Sequence, residues 1–161
     1  MNLFLDTNVV IDYLAKREPF AEDICRLIVA SSCSDWQLSI SALSFTTIYY
    51  VLRKQYPRER LMELLSDISE AFYVCEVDGV VVDKALHSEF HDFEDAVQCY
   101  TAQKSKADVI ITRNVKDFGA SPILVKTPKE FCDMLFGLGY SCESSTTLLN
   151  EPATVYGQQC D

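Results

Sequence analysis

The chain has 161 residues, 48% of them apolar and 24% charged, and a net charge of −10, figures that suit one compact domain with its own core. No apolar run approaches the roughly 18 residues that a membrane span requires, and Met1-Asn2-Leu3-Phe4-Leu5-Asp6 lacks the basic flank of a secretion signal, so a cytoplasmic protein with no membrane contact is expected. The acidic balance counts against a broad basic nucleic-acid surface, but not against carboxylates gathered to hold cations, because a bound metal reverses the local field.

Leu3-Phe4-Leu5 is a short apolar run that meets Asp6, and it reads as a buried strand ending at its carboxyl edge. Val9 to Leu14 continues as a helix capped by Thr7 or Asn8. Pro19 suits the start of a second helix with Phe20, Ile24, Leu27 and Ile28 on one face. Leu38-Ser39-Ile40 is a second strand, and Ser41 caps a helix running to about Lys54. After Pro57, Leu61, Leu64, Leu65, Ile68 and Phe72 recur at helical spacing. Tyr73 to Val77 is a third strand, and Val80 to about Phe90 a helix. Asp92-Phe93-Glu94-Asp95 opens the next helix, where acids suit the positive end of the macrodipole. Val109-Ile110-Ile111-Thr112 and Ile123-Leu124-Val125 are two more buried strands. Thr127-Pro128-Lys129-Glu130 is a capping signature before a last helix, Phe131 to Phe136.

Strands alternating with helices predict an α/β protein built on a mainly parallel sheet of about five strands. Residues 1–138 are read as the folded domain. Residues 139–161, rich in Ser, Thr and Gln, are read as a polar tail, disordered or partner-contacting. The seven cysteines include no C-x-x-C pair, so reduced thiols are expected rather than a zinc site or a disulfide framework.

In open α/β sheets, ligands gather outside the carboxyl ends of the strands. Asp6 follows the first strand, Asp92, Glu94 and Asp95 begin the helix before the fourth, and Asp117 follows the fourth. Each has a plain structural reading: Asp6 as a helix cap, Asp92–Asp95 as a solvated helix start, Asp117 as a loop cap. Their joint placement points to chemistry. Carboxylates brought together repel unless protonated or metal-bound, and a hard cation with oxygen ligands can activate water for attack on a phosphodiester. His87 and His91 are read as surface residues.

Leu5-Asp6-Thr7-Asn8-Val9, Asp92-Phe93-Glu94-Asp95-Ala96 and Ile111 to Phe118 resemble, in order and spacing, the three sequence blocks of PIN domains. The likeness is closest to the VapC-like toxins of bacterial toxin–antitoxin pairs, and Val125 to Phe131 resembles the ending of that group. The resemblance implies a Rossmann-like three-layer α/β/α sandwich and a Mg²⁺- or Mn²⁺-dependent endoribonuclease. It implies catalytic roles for Asp6, Asp92, Asp95 and Asp117, with Asp6, Asp95 and Asp117 as metal ligands. Thr112 and Asn114 would lie in or beside the site, and Thr7 and Asn8 would orient Asp6. It also implies an RNA substrate, an antitoxin partner that covers the acidic groove, and a homodimer, for which Tyr49, Tyr50, Leu52 and Tyr56 could form a face if they are not core.

The chain departs from the family pattern once. In Ile40-Ser41-Ala42-Leu43-Ser44-Phe45-Thr46-Thr47, Thr47 stands where an acid is expected, and no acid occurs between Asp35 and Glu59. A hydroxyl is a weaker metal ligand than a carboxylate, so the site would bind metal more weakly, enlist Asp92, or be inactive. A rival reading is therefore a PIN-fold module that binds RNA or protein with weakened catalysis. Arg113 and Lys116 beside the acids would contact phosphate. An aspartyl-nucleophile phosphotransferase would want an acid where Asn8 stands, and a dinucleotide enzyme would want a glycine-rich turn after the first strand, where no glycine lies.

Overall fold

A computed structural model describes residues 1–137; the expected polar tail lies outside them. The elements in order are β1 (Asn2–Leu5), α1 (Thr7–Leu14), α2 (Phe20–Ser32), β2 (Gln37–Ser41), α3 (Ala42–Leu52), α4 (Arg58–Ala71), β3 (Tyr73–Cys75), α5 (Gly79–Leu86), α6 (Phe93–Lys104), β4 (Val109–Ile111), a 3₁₀ turn (Val115–Phe118), β5 (Leu124–Lys126) and α7 (Pro128–Gly137). The five strands form one parallel sheet in the order β3-β2-β1-β4-β5.

Alternation along the central strand divides the core. Leu3 and Leu5 pack with residues of α1, α2, α3, α4 and α7, among them Val9, Ile24, Ile48, Leu61 and Phe131. Phe4 points the other way, into Cys99, Ala102, Ile110 and Phe118, and Val81 and Ala85 of α5 pack behind Ala96 and Val97 of α6. Five helices thus cover one face and two the other, the three-layer sandwich expected. Strands covered on both faces read as continuous apolar runs, which is why β1 and β4 are legible in the sequence. The capping signature is complete: Glu130 N donates to Thr127 Oγ1 at 3.1 Å, and Thr127 N to Glu130 Oε2 at 2.9 Å.

Crossover helices between parallel strands begin at the carboxyl edge of the sheet, so the N-termini of α1, α3 and α6 lie on that side. The chain steps from β1 to β2 and β3 on one side, then returns to place β4 against the other side of β1. The β1/β4 junction is therefore the topological switch point, where open α/β sheets leave a crevice. Asp6 N donates to Ile111 O at 2.9 Å across it.

Two local expectations change. α1 starts at Thr7, not Val9, because the Asp6 carbonyl already accepts from Val9 N and Val10 N. Leu52 is fully buried, Tyr49 and Tyr56 pack against the core, and Tyr56 Oη donates to Leu14 O; only Tyr50 stands out, at 65% exposed, under the Arg53 guanidinium. A face built from all four residues does not form there. Among the described residues, Cys25, Cys75, Cys99 and Cys132 carry free thiols, with burial pushing Cys132 up to about 11.

Asp12 was hidden in the apolar run of α1. It is 1% exposed. Its carboxylate takes Arg113 Nη1 at 2.9 and 3.2 Å and Arg17 Nη1 at 3.4 Å. This pair ties α1 to the segment after β4 from beneath. Removing one partner of a buried ion pair strands the other charge, at a typical cost of about 3–5 kcal/mol. Arg113→Met is expected to lower denaturant-unfolding stability toward the bottom of that range, because Arg17 remains, and Asp12→Leu together with Arg113→Met to recover part of the loss.

Candidate active site

Asp6 ends β1 and is 2% exposed. It occupies the N-cap position of α1 but makes no side-chain cap bond. Its Oδ2 instead accepts from Asn8 Nδ2 at 2.6 Å and from Thr112 Oγ1 at 2.7 Å. Both donors are themselves fixed across the β1/β4 junction: Asn8 Oδ1 accepts from Arg113 N at 3.2 Å, and Thr112 Oγ1 accepts from Asn114 N at 3.0 Å. The carboxylate is aimed by two residues from two strand ends, and it does not serve as the helix cap that its position alone would suggest.

A pocket of about 410 Å³ opens over this group. Asp6, Thr7, Asn8 and Ile11 line it from β1 and α1, and Thr47 from α3. His91, Asp92, Glu94 and Asp95 come from the start of α6, and Asn114 and Asp117 from the turn after β4. Asp117 is presented by the 3₁₀ turn, which Phe118 anchors by packing, 2% exposed, against Phe90 at 6.2 Å between ring centroids. No lysine or arginine is among the lining residues.

The sequence-predicted residues therefore divide. Asp6, Asp92, Asp95, Asp117, Asn8, Thr47 and Asn114 meet at one pocket, and Thr112 supports Asp6 from below. Thr7 lines the pocket, but its hydroxyl does not orient Asp6; it lies 2.8 Å from Ser44 Oγ and accepts from Gln98 Nε2 at 2.5 Å. Asp92 caps α6, its Oδ1 accepting from Glu94 N at 2.7 Å and Asp95 N at 3.4 Å, so the plain structural reading holds for that oxygen. Arg113 does not face the pocket. Asp12 holds its guanidinium, which also lies 5.1 Å from the centre of the Phe20 ring. Glu94 belongs to the acidic constellation but carries no assigned role in the sequence reading, His91 is read there as a surface residue, and the buried Gln98 is not singled out. Glu94 carried the only available signal, its place one turn before Gln98 on the same helix face.

The electrostatics follow from burial and crowding. Burial pushes the Asp6 carboxyl up to about 7 against the pull of the Thr112 hydrogen bond, and the charges of Glu94 and Asp95 raise it further. Asp95 is pushed up to about 6 by burial, then by Asp92, Asp117 and Glu94. The cluster needs protons or a cation. The donor set is oxygen-rich, with Asp92, Glu94 and Asp95 offering carboxylate atoms within 4.8 Å of one another. That chemistry suits a hard divalent ion such as Mg²⁺ or Mn²⁺. The residues lining the pocket fit such a group.

An α/β/α sandwich with a ligand crevice at its switch point is a frame shared by many enzyme classes, and comparison with known proteins narrows it. The PIN domain family matches residues 2–116, and the chain belongs to that family. It is 30% identical to Ribonuclease VapC1 of Aquifex aeolicus (strain VF5), over 81% of this chain and 93% of the relative. Among solved structures, it resembles a toxin-antitoxin complex from Klebsiella pneumoniae (TM-score 0.59, 26% identity, 78% of this chain and 97% of that one). It also shares its fold with DNA-bound VapBC from Salmonella typhimurium (TM-score 0.63, 19% identity, 80% and 98%). Among the described residues, no helix is long and apolar enough to cross a membrane.

The raised acids give a pH dependence with a definite sign. The folded chain keeps the Asp6 proton up to about pH 7, whereas the unfolded chain releases it near 3.8. Between those values the native state binds more protons, so this group's contribution to metal-free stability falls as pH rises and levels off above about 7. In chelator, Asp6→Asn is expected to be more stable than the parent by a margin that grows from pH 4 to 7 and reaches the order of a few kcal/mol. Thermal melts across that range measure it; a margin that shrinks with pH contradicts the assignment.

Proposed function

We propose that this chain is a Mg²⁺- or Mn²⁺-dependent endoribonuclease that hydrolyses RNA phosphodiester bonds, and that it is the toxin of a toxin–antitoxin pair acting in the cytoplasm. The observation that carries this reading is the convergence of five carboxylates, from Asp6, Asp92, Glu94, Asp95 and Asp117, on one pocket lined by no lysine or arginine. Kinship with a protein named as a ribonuclease, and with chains solved in toxin–antitoxin complexes, supports the substrate and the antitoxin partner.

In this reading Asp6, Asp95 and Asp117 hold the metal. A divalent ion bound there supplies a water activated as nucleophile and offsets charge developing on the phosphate. The chain's own part is to fix the ligands. Asn8 and Thr112 hold Asp6 Oδ2, and Thr112 is in turn set by Asn114 N. Asp92 fixes the first turn of α6 and thereby the placement of Asp95. His91 and Asn114 at the rim are placed to bind the RNA backbone beside the acids. An antitoxin that inhibits by covering the groove would bring a cation to it, because a basic side chain is what this pocket lacks.

Purified chain is expected to cleave single-stranded RNA with Mn²⁺ or Mg²⁺ and to stop with chelator. Asp6→Asn and Asp117→Asn should abolish cleavage. Thr112→Val, which removes only the hydroxyl behind Asp6, should weaken metal affinity by about 10–100-fold. Chelator-resistant cleavage contradicts the metal mechanism. Metal binding without cleavage, alongside tight RNA or partner binding, moves the reading to a weakened binding module, the alternative that Thr47 in place of an acid favours.

A further inference from the structure

Thr47 leaves the α3 side of the pocket without a carboxylate, although the residue itself lines the pocket. Asp92 is poorly suited to make up the loss, since its Oδ1 is engaged by two backbone N–H groups of α6. Glu94 is exposed, lines the pocket, and lies with Asp95 and Asp92 inside the 4.8 Å cluster.

A second feature singles Glu94 out. Gln98, one turn further along α6, is 1% exposed. Its Nε2 donates to Thr7 Oγ1 at 2.5 Å, to Ser44 Oγ at 3.1 Å and to Glu94 Oε1 at 3.4 Å. Its Oε1 has no hydrogen-bond partner among the described residues. A buried amide with an orphaned carbonyl is unfavourable where an apolar side chain would fill the same space, so the position is explained by what its N–H groups hold. Thr7 and Glu94 both line the pocket, so the amide lies directly behind two lining residues. Ser44 lies one turn before Thr47 on α3, so the amide joins the Glu94 face of α6 to the helix that lacks its acid.

We propose that Glu94, steadied by Gln98, supplies the carboxylate that Thr47 does not, completing the acid set of the site from α6 instead of α3. This rests on the metal-site reading above. Gln98 acts as a positioning residue: it engages one Glu94 oxygen, Oε1, and leaves the other to a metal, which spares a long exposed side chain part of the entropy of being fixed. The chain would thus keep a fourth ligand although its Ile40–Thr47 segment lacks one.

Isothermal titration of the full chain with Mn²⁺ tests this without reference to activity. Glu94→Gln is expected to weaken Mn²⁺ binding by roughly tenfold or more, and Thr47→Glu added to Glu94→Gln to restore most of the affinity. Gln98→Met should weaken binding as well. Thermal stability should be unchanged or raised in Gln98→Met, and Thr47→Glu should rescue the affinity; a purely structural role for Gln98 would instead lower stability and binding together, with no rescue. If Asp6→Asn abolishes Mn²⁺ binding while Glu94→Gln leaves it unchanged, this proposal is overturned and the site reading stands. If Asp6→Asn leaves binding intact, the site reading itself falls. Loss in Glu94→Gln with no recovery from Thr47→Glu would make Glu94 a ligand in its own right and overturn the replacement.

Discussion

Asp6 is a carboxylate taken out of water at the end of the central strand and surrounded by other carboxylates. Every other feature of the site answers to that placement. The backbone supplies the position: β1 lies between β2 and β4, so its last residue opens into the one crevice that the order of the strands creates. Asn8 and Thr112 supply the aim, each reaching one oxygen, Oδ2. Those two bonds favour the charged form but do not outweigh burial, and the group is pushed up to about 7. The crowding of Asp95 and its neighbours acts in the same direction. Left to itself the pocket resolves the conflict with protons. Under the proposed reading a divalent ion would resolve it with charge, and because it must displace those protons its affinity would rise with pH.

The fold was legible because the core is strongly patterned. Leu3, Leu5 and Val109 to Ile111 are apolar on both faces since helices cover both sides of the sheet, and Leu61, Leu65 and Ile68 keep helical spacing because one stripe of α4 is buried. The acids at the strand and helix ends were legible because a parallel sheet sends strand ends and helix starts to one edge. What stayed hidden depends on contacts between distant segments. Asp12 looks like an interruption in the apolar run Val9–Leu14, and nothing local reveals that Arg113, 101 residues away, neutralises it. Gln98 looks like a surface glutamine until Thr7 and Ser44 are seen to close over it, 91 and 54 residues distant. The roles of Asp92 and Glu94 were legible only as a pair. Which one caps the helix and which is left to the pocket depends on backbone geometry at the first turn of α6.

Arg113 shows how the pocket is kept free of the chain's own cations. Its neighbours in sequence, Thr112 and Asn114, both serve the acid site, so a guanidinium at this position lies within reach of carboxylates that would bind it. A salt bridge there would satisfy Asp6 or Asp117 and occupy the place of an ion. Asp12 prevents this. Set 1% exposed on the buried side of α1, it takes the guanidinium at 2.9 and 3.2 Å, while Phe20 covers the outer face of the cation. A buried ion pair is often no more stable than an apolar pair of the same size, so its presence is poorly explained by stability alone. Its position explains it better: one aspartate outside the cluster engages a guanidinium whose sequence neighbours serve the acid site, and Arg113 is not among the residues that line the pocket.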